Sequence, residues 1–179
     1  MRTDGGTEPL AGLGPALDTV ATVAWRDGEL SPGATVVVDI DGVVADTSAR
    51  QHLLDGPDGR RNWDAFFAAA GDDRPLVAVP ALLDALDASL RVVLVSGRPD
   101  WLVDTTTEWL AAHHVRWDLL VVRRPGDRMP AARFKTRVVR SLAAAGHSVL
   151  LAIDNDAAVV DAYRQAGIPT LHPGSDRPR

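Results

Sequence analysis

The sequence Ala34-Thr-Val-Val-Val-Asp-Ile-Asp-Gly42 joins a run of β-branched residues to two carboxylates and a glycine. Pro32-Gly33 precede the run and Gly42 ends it, as turn residues bound a short strand. Because the run is apolar on both faces, it is typical of a strand that is buried on both faces. We therefore predict the first core strand over residues 34–41 with its carboxylates at the carboxyl end.

A helix pattern and a strand pattern then alternate along the rest of the chain. Apolar residues recur at helical spacing over 76–89, 101–113, 130–145 and 157–166, and each helix pattern precedes an apolar run, at 90–95, 119–122, 149–153 and 169–171. Strands that alternate with helices of this length form βαβ units, in which the strands are parallel. The sequence predicts an α/β fold, a doubly wound, Rossmann-like parallel sheet with helices on both faces.

The 179 residues leave room for about one domain, at roughly 100–200 residues per domain. We predict an N-terminal extension over residues 1–33, a main domain over 34–173 with a small insert near 46–75, and a C-terminal tail over 174–179. Leucines at helical spacing predict an amphipathic helix over 14–26 in the extension. The two ends are rich in Gly, Pro and charge, which is typical of loose termini.

Composition excludes several classes of protein. The chain has no Cys, so disulfides, thiolate metal sites and cysteine nucleophiles are excluded. No apolar run approaches the ~18 residues that a membrane helix needs, and the first residues contain no apolar signal segment, so we expect a cytoplasmic protein. The net charge of −5 argues against a broadly basic nucleic-acid surface, although 18 arginines leave room for one local basic patch.

Polar residues follow three of the predicted strands. Asp39 and Asp41 occupy alternate positions, which point to the same side of an extended chain. Two carboxylates so close together need a cation between them or a proton on one of them. Ser96-Gly97-Arg98 after the second core strand supplies a hydroxyl, an open backbone and a guanidinium, which together suit a phosphate.

The fourth core strand ends in Asp154-Asn155-Asp156, a set of oxygen ligands that suits Mg²⁺. Asp156 fits an N-cap of the next helix equally well. Lys135 is the only lysine, in the first turns of a predicted helix. A lysine there is usually solvated, but a compact ammonium also fits between a phosphate and a carboxylate where a guanidinium does not.

These clusters, in this order, resemble the motifs of the haloacid dehalogenase (HAD) superfamily of phosphotransferases over about residues 34–172. Asp39-Ile-Asp-Gly-Val-Val44 is similar to the first motif and Val92-Val-Leu-Val-Ser96 to the second, while Lys135 and Asp154-Asn155 correspond to the third and fourth. Within the superfamily the chain looks most like the phosphatase domain of polynucleotide kinase. That group often has Asp-Asp where this chain has Asp154-Asn155, and an Asn brings no charge to a metal.

The resemblance implies a reaction and a role for each motif residue. Asp39 is expected to attack phosphorus and form an aspartyl phosphate, and Asp41 to exchange protons with the leaving oxygen and with water. Ser96 and Lys135 are expected to bind phosphoryl oxygens. The Mg²⁺ cofactor is expected on Asp39, the main-chain carbonyl of Asp41 and Asp154, with Asn155 or Asp156 completing the metal site.

The substrate is expected to be a phosphorylated molecule, with a nucleic-acid end or a nucleotide as candidates. We predict that Gly42, Gly97, Arg98, Arg124 and Arg128 bind it. The insert at 46–75 is long enough only for a minimal cap, which would leave the site open to a strand end. Trp63 in the insert is a candidate for stacking on a base, although its spacing is more typical of packing.

Three functions remain open at this stage. The first is a Mg²⁺-dependent phosphomonoesterase, with polynucleotide 3′-phosphates as candidate substrates. The second is a phosphatase for small molecules such as nucleotides or sugar phosphates, and the third is a non-catalytic binding domain of the same fold. No Gly-x-x-x-x-Gly-Lys-[Ser/Thr] motif occurs, so we expect no kinase domain in these residues. Nothing in the sequence indicates a membrane partner or specifies an oligomeric state.

Overall fold

The first predicted core strand lies in the middle of a six-stranded sheet in the computed structural model, which describes residues 21–29, 31–56 and 59–174. The strands are β1 (Ala21–Trp25), β2 (Ala34–Val38), β3 (Ala45–Asp46), β4 (Arg74–Pro75), β5 (Arg91–Pro99), β6 (Leu119–Arg123), β7 (Ser148–Ile153) and β8 (Thr170–Leu171). The α-helices are α1 (Trp63–Ala68), α2 (Ala78–Ala85), α3 (Val103–Ala112), α4 (Ala131–Ala144) and α5 (Ala157–Gln165). Short 3₁₀ helices span Ser48–Leu54, Ala70–Asp72 and Asp100–Leu102.

The large sheet has the strand order β1-β6-β5-β2-β7-β8, and all its pairs are parallel except that of β1 with β6. Val36, Val37 and Val38 of β2 are buried between neighbours on both sides. Their β-branched side chains pack well on a covered, pleated surface, which explains why this run forms the central strand. The prediction of an α/β fold with a mostly parallel sheet is confirmed.

Two apolar layers cover the two faces of the sheet. On one face Val36 and Leu94 pack with α2 and α3, which contribute Leu83 and Leu110. On the other face Val37 and Val93 pack with α4 and α5. Because alternate residues of one strand point to opposite faces, consecutive valines of β2 belong to different layers. The helices therefore lie on both faces, as predicted.

The helix predicted over 14–26 is wrong for its last part. Residues 21–25 form β1, which pairs antiparallel with β6 from Ala21 opposite Arg123 to Trp25 opposite Leu119. The hydrogen bonds offered by the open edge of β6 outweigh the helical spacing of the leucines upstream. Residues 14–20 of the predicted helix lie outside the described residues.

The insert begins and ends in a two-stranded ribbon beside the large sheet. β3 and β4 pair antiparallel, with Ala45 opposite Pro75 and Asp46 opposite Arg74. Between them lie α1 and two of the 3₁₀ helices. The ribbon brings both ends of the insert next to the carboxyl end of β2, so residues of the insert can reach the residues that follow that strand.

Four parallel strands, β2, β5, β6 and β7, point their carboxyl ends to one edge of the sheet. Asp39 just after β2 is held beside β7, since its amide donates to the carbonyl of Ile153 at 2.9 Å. In sheets of this type ligands bind outside the carboxyl ends of the strands.

Within the described residues, none of the helices has the length and apolar character needed to cross a membrane.

Candidate active site

The single lysine joins two carboxylates at the carboxyl edge of the sheet. Nζ of Lys135 lies 2.8 Å from Oδ1 of Asp39 and 2.7 Å from Oδ2 of Asp154. All three side chains are buried. Asp39 follows β2, Asp154 follows β7, and Lys135 reaches them from the first turns of α4. The three residues predicted from separate motifs therefore meet at one point.

The surroundings of Lys135 favour its charged form. Burial alone lowers the pKa of the ammonium, but Asp39 and Asp154 outweigh burial and raise the pKa above its ordinary value. The amide of Asp156 donates to the other oxygen of Asp154 at 2.9 Å, which fixes that carboxylate in place. Lys135 thus remains an ammonium at any working pH and presents a fixed positive charge to the site.

Asp39 retains an excess of negative charge around it. Its pKa is raised to about 7, because the effects of burial and of the carboxylates of Asp154 and Asp41, which raise it, outweigh that of Lys135, which lowers it. One ammonium does not fully offset the desolvation and the two neighbouring carboxylates. The structure therefore leaves a demand for further positive charge at Asp39.

Asp41 is held by two arginines. Its Oδ1 accepts hydrogen bonds from Nη2 of Arg98 at 2.8 Å and from Nη2 of Arg50 at 2.5 Å, and Nε of Arg98 lies 3.2 Å from each carboxylate oxygen. The hydroxyl of Ser96 lies 3.5 Å from the other oxygen, Oδ2. Two guanidinium groups leave the Asp41 side chain little freedom to rotate. Its orientation is set before any ligand arrives.

The same arginines control the charge of Asp41. Burial raises its pKa, but Arg98 and then Arg50 outweigh burial, so the pKa lies below its usual value. Asp41 is therefore ionised at neutral pH in this state of the protein. Asp39 and Asp41, two residues apart, have pKa values that are shifted in opposite directions by their surroundings, which is typical of carboxylates with different roles.

Arg50 and Asp73 belong to this network, although the motifs did not point to either. Nε of Arg50 donates to Oδ1 of Asp73 at 2.8 Å and its Nη2 donates to Oδ2 at 2.7 Å, while its Nη1 donates to the carbonyl of Phe66. The guanidinium also lies 4.0 Å from the centre of the Phe66 ring. The insert thus supplies Arg50, which binds Asp41, and Asp73 fixes the Arg50 guanidinium in place.

Arg98, which is predicted to bind substrate, contacts Asp41 in the structure. Its side chain is fully buried, and Nη1 donates to the hydroxyl of Thr106 on α3 at 3.1 Å. Asp41 is its main partner among the described residues. A strand end predicts where an arginine lies in the sheet but not which way its side chain points.

The other predicted binding residues lie along the same edge. Gly42 has a φ of 79°, and a Cβ there would collide with the amide of Asn155, so the turn after Asp41 requires glycine. Gly97 lies in β5 next to Ser96, whose hydroxyl accepts from the amide of Arg98 at 3.2 Å. Arg124 is half-buried and Arg128 is exposed in the loop between β6 and α4.

Asp156 caps a helix. Its side chain accepts hydrogen bonds from the amides of Ala158 at 2.8 Å and Val159 at 3.4 Å, at the start of α5. This is the N-cap interpretation of Asp156, with the carboxylate engaged by the helix. Asn155, the residue before it, is exposed beside Gly42. Asn155 is thus the better placed of the two to reach a ligand at this edge.

The oxygen donors at the edge fit a hard divalent cation. Four buried or partly buried carboxylates face three cations, so the cluster has a formal charge of −1 when all its groups are ionised: Asp39, Asp41, Asp73 and Asp154 against Arg50, Arg98 and Lys135. Among the described residues no group of three or more His, Cys, Asp or Glu side chains converges on a metal position. Mg²⁺ is commonly held by one or two carboxylates, substrate phosphate and water, so Asp39 and Asp154 suffice.

Comparisons with known proteins show the family and the fold of this chain. A family model described as the polynucleotide kinase PNKP phosphatase domain matches residues 33–174. The chain is similar to a chain of the Pnkp1/Rnl/Hen1 RNA repair complex, at 24% identity and a TM-score of 0.64 over 84% of its residues. A second structure of the Pnkp1/Rnl/Hen1 complex matches at 22% identity and a TM-score of 0.65, again over 84% of this chain.

These matches extend over only part of the larger relatives. The chain spans 45% and 50% of the two matched chains from the RNA repair complex. It is also similar to a HAD-superfamily hydrolase from Geobacter sulfurreducens PCA, at 12% identity and a TM-score of 0.52, over 81% of this chain and 89% of that one. At these identities the structural matches show a shared fold. A comparison with curated protein sequences found no match.

Proposed function

The chain belongs to the family of polynucleotide kinase phosphatase domains within the HAD superfamily, and we propose that it removes the phosphate from a polynucleotide 3′-phosphate. The observation that carries this proposal is the contact of Lys135 with Asp39 and Asp154. This contact lies beside Asp41, which two arginines hold in place. The superfamily match alone supports phosphatase chemistry. The family match supports a nucleic-acid end as the substrate.

We assign the first step to Asp39. Its carboxylate oxygen attacks phosphorus, the bond from phosphorus to the leaving oxygen breaks, and the phosphoryl group is carried as an aspartyl phosphate. Lys135, fixed as an ammonium beside Asp39, offsets the repulsion between the anionic nucleophile and the anionic phosphate. We assign the binding of phosphoryl oxygens to the Ser96 hydroxyl and the backbone around Gly97.

We assign the proton transfers to Asp41. It gives a proton to the leaving oxygen in the first step, and in the second step it takes one from the water that attacks the aspartyl phosphate. Arg50 and Arg98 keep it ionised in the free protein, which suits the second step. The approach of an anionic phosphate raises the pKa of a nearby carboxyl, which favours the protonated form needed for the first step.

Asp39, Asp154, the main-chain carbonyl of Asp41 and Asn155 are the groups that would hold Mg²⁺. The cation would act as a Lewis acid on the phosphoryl oxygens. Asn155 adds an oxygen donor without charge where relatives often have a second Asp, so we expect this chain to need higher Mg²⁺ concentrations than those relatives. The excess of negative charge at Asp39 supports a cation at this position.

A substrate panel tests the proposal. We expect Mg²⁺-dependent phosphate release from oligonucleotides with a 3′-phosphate, and a kcat/KM at least tenfold lower on the same sequences with a 5′-phosphate and on nucleoside monophosphates or sugar phosphates. Chelation should stop the reaction and added Mg²⁺ should restore it. Efficient cleavage of small phosphates with no reaction on oligonucleotide ends would instead favour the small-molecule phosphatase, and absence of turnover on every substrate would favour a binding domain.

Replacing the lone lysine by arginine tests the geometry of the charge rather than its presence. We expect Lys135→Arg to lower kcat by about 10²- to 10³-fold, the usual cost of losing one fixed group that stabilises the transition state. A planar guanidinium cannot take the position of a compact ammonium that lies within 2.8 Å of two carboxylates. Steady-state kinetics on an aryl phosphate measure this. Arg164→Lys, the opposite exchange at an exposed position of α5, is the control.

A further inference from the structure

Positive charge is concentrated in one segment of this acidic chain. Residues 123–140 carry seven basic side chains and one acidic side chain, a net charge of +6, so the remaining residues carry a net charge of −11. The segment runs from the end of β6 through most of α4. A local basic surface on an acidic protein indicates a polyanionic ligand rather than a general requirement of solubility.

Two of the seven cations are used inside the protein. Arg123 pairs with Asp127 at 2.7 Å, and Lys135 pairs with Asp39 and Asp154. The five other arginines make no ion pair and no side-chain hydrogen bond with any residue that the structure describes, and they are Arg124, Arg128, Arg133, Arg137 and Arg140. Their guanidinium groups remain available to a ligand.

The five arginines follow one another from the carboxyl edge of the sheet into α4. Arg124 and Arg128 lie in the loop at the carboxyl edge of the sheet, where Asp39 and Asp154 also lie. Helix α4 begins at the end of this loop and runs towards the opposite edge. Arg133, Arg137 and Arg140 follow at spacings of four and three residues, which places them on one face of the helix. We call these three residues the α4 arginine row.

A groove runs beside the α4 arginine row. It has a volume of about 620 Å³ and lies between α4 and α5, with the three arginines on one wall and Gln165 on the other. Ala162 and Ala166 also line it, and such small side chains leave room for a ligand. Lys135 does not line the groove, since its Nζ lies on Asp39 and Asp154, so the groove is separate from the catalytic cluster.

We propose that the α4 arginine row and this groove bind the phosphodiester backbone of the substrate strand, on the internal side of the terminal phosphate. The inference rests on the proposed function, because it assumes that the active site takes a nucleic-acid end. From Arg133 to Arg140 the row rises ~10 Å along the helix axis. Its three guanidinium groups can each pair with one phosphate of a strand, so the row suits about three phosphates.

The composition of this surface favours a phosphodiester strand over an acidic protein. A specific protein interface has an apolar core with a polar rim. The lining of this groove instead contains three arginines, and its apolar residues are three small alanines and one methionine. Guanidinium groups bind phosphate oxygens through paired hydrogen bonds. DNA and RNA share this backbone, so the row distinguishes a polynucleotide from a mononucleotide but not one sugar from the other.

The test is a triple variant, R133A/R137A/R140A, compared with the unaltered protein on 3′-phosphorylated oligonucleotides of two to twelve nucleotides. We expect the unaltered protein to gain kcat/KM with length up to about four or five nucleotides and the triple variant to lose most of that gain, about tenfold or more. The dependence of log(kcat/KM) on log[salt] should become shallower by about 2, at ~0.7 per phosphate contact on a single strand. Activity on an aryl phosphate should stay unchanged.

A matched charge reversal controls for net charge. Arg137→Glu lies in the row, whereas Arg26→Glu makes the same charge change in an exposed residue after β1, at the opposite edge of the sheet. Only the first should weaken binding of an oligonucleotide with a 3′-hydroxyl, measured by fluorescence anisotropy. Equal effects of the two reversals, or a triple variant with unaltered length and salt dependence, would overturn the proposal.

The binding measurement separates this inference from the proposed function. An oligonucleotide with a 3′-hydroxyl has no phosphate to release, so its affinity reports on the row even if the protein hydrolyses no 3′-phosphate. Arginine-dependent binding without turnover would support binding by the α4 arginine row and refute the proposed reaction. Turnover of 3′-phosphates that does not depend on the α4 arginine row would support the proposed reaction and refute binding by the row.

Discussion

Asp39→Asn is expected to reduce phosphate release by at least about 10⁴-fold, because an amide oxygen cannot form the aspartyl phosphate. The exchange keeps the size and shape of the side chain, and its oxygen can still accept a hydrogen bond from Lys135. Asp154 still pairs with that lysine at 2.7 Å, so the ammonium stays neutralised. Single-turnover kinetics with an aryl phosphate measure the chemical step directly.

The same variant should fold at least as well as the unaltered protein, which separates a chemical role from a structural one. Burial raises the pKa of Asp39 from 3.8 to about 7, so in the folded, metal-free protein its charged form is disfavoured. A group whose pKa is higher in the folded state stabilises the fold at low pH and loses that contribution as the pH rises to about 7. Asparagine has no such dependence.

The free energy of unfolding should therefore be measured in chelator between pH 4 and pH 8. We expect the stability of the unaltered protein to fall with rising pH relative to that of Asp39→Asn, and the variant to be at least as stable at pH 8. Retention of full phosphate release by the variant would refute the assignment of Asp39 as the nucleophile. A large loss of stability at pH 8 would show that Asp39 is mainly structural.

The sequence predicted the parts of the site that lie at strand ends. β-branched runs located the parallel strands, and the carboxyl ends of parallel strands share one edge, so Asp39, Asp41 and Asp154 had to approach each other. Lys135 carried a weaker signal, since its position in a helix does not say whether it is buried. The chain has one lysine and 18 arginines, and the position of Lys135 in the order of the motifs indicated a role in the site.

Contacts made by the insert had no comparable signal. Arg50 lies in the polar stretch Ser48-Ala-Arg-Gln-His52, where an arginine is usually solvated, and its partner Asp73 lies 23 residues away. No strand pattern or local spacing links them, because the path of the insert brings them together only after folding. The burial of Arg50 can therefore be predicted only when the carboxylate that neutralises its charge is known.

β1 was missed for a related reason. Residues 21–25 continue a stretch of leucines with helical spacing, and an edge strand with few neighbours has no strong pattern of its own. Its conformation is decided by the edge of β6 that it covers. Tertiary context overrides local propensity most easily in short elements such as this one.

Arg50→Ala is expected to have the second largest effect, on stability and on activity together. The side chain is buried and forms ion pairs with Asp41 at 2.5 Å and with Asp73 at 2.7 Å. Removing one partner of a buried ionic network leaves charge without compensation, which typically costs about 3–5 kcal/mol. We expect a loss of that size in the free energy of unfolding, measured by denaturant titration. Arg61→Ala, in an exposed arginine of the same insert, should change stability by less than about 0.5 kcal/mol.

Arg50→Lys distinguishes positioning from mere stability. A lysine retains the charge but cannot reach Asp41 and Asp73 together as the fork of Nε and Nη2 does, so kcat should fall by about 10²-fold even if the protein remains folded. Arg50 lowers the pKa of Asp41 by its charge and its hydrogen bond. Loosening that contact should move the limb of the pH–rate profile that reports the base to higher pH. A folded Arg50→Lys protein with unaltered kcat and pH profile would show that Arg98 alone orients Asp41.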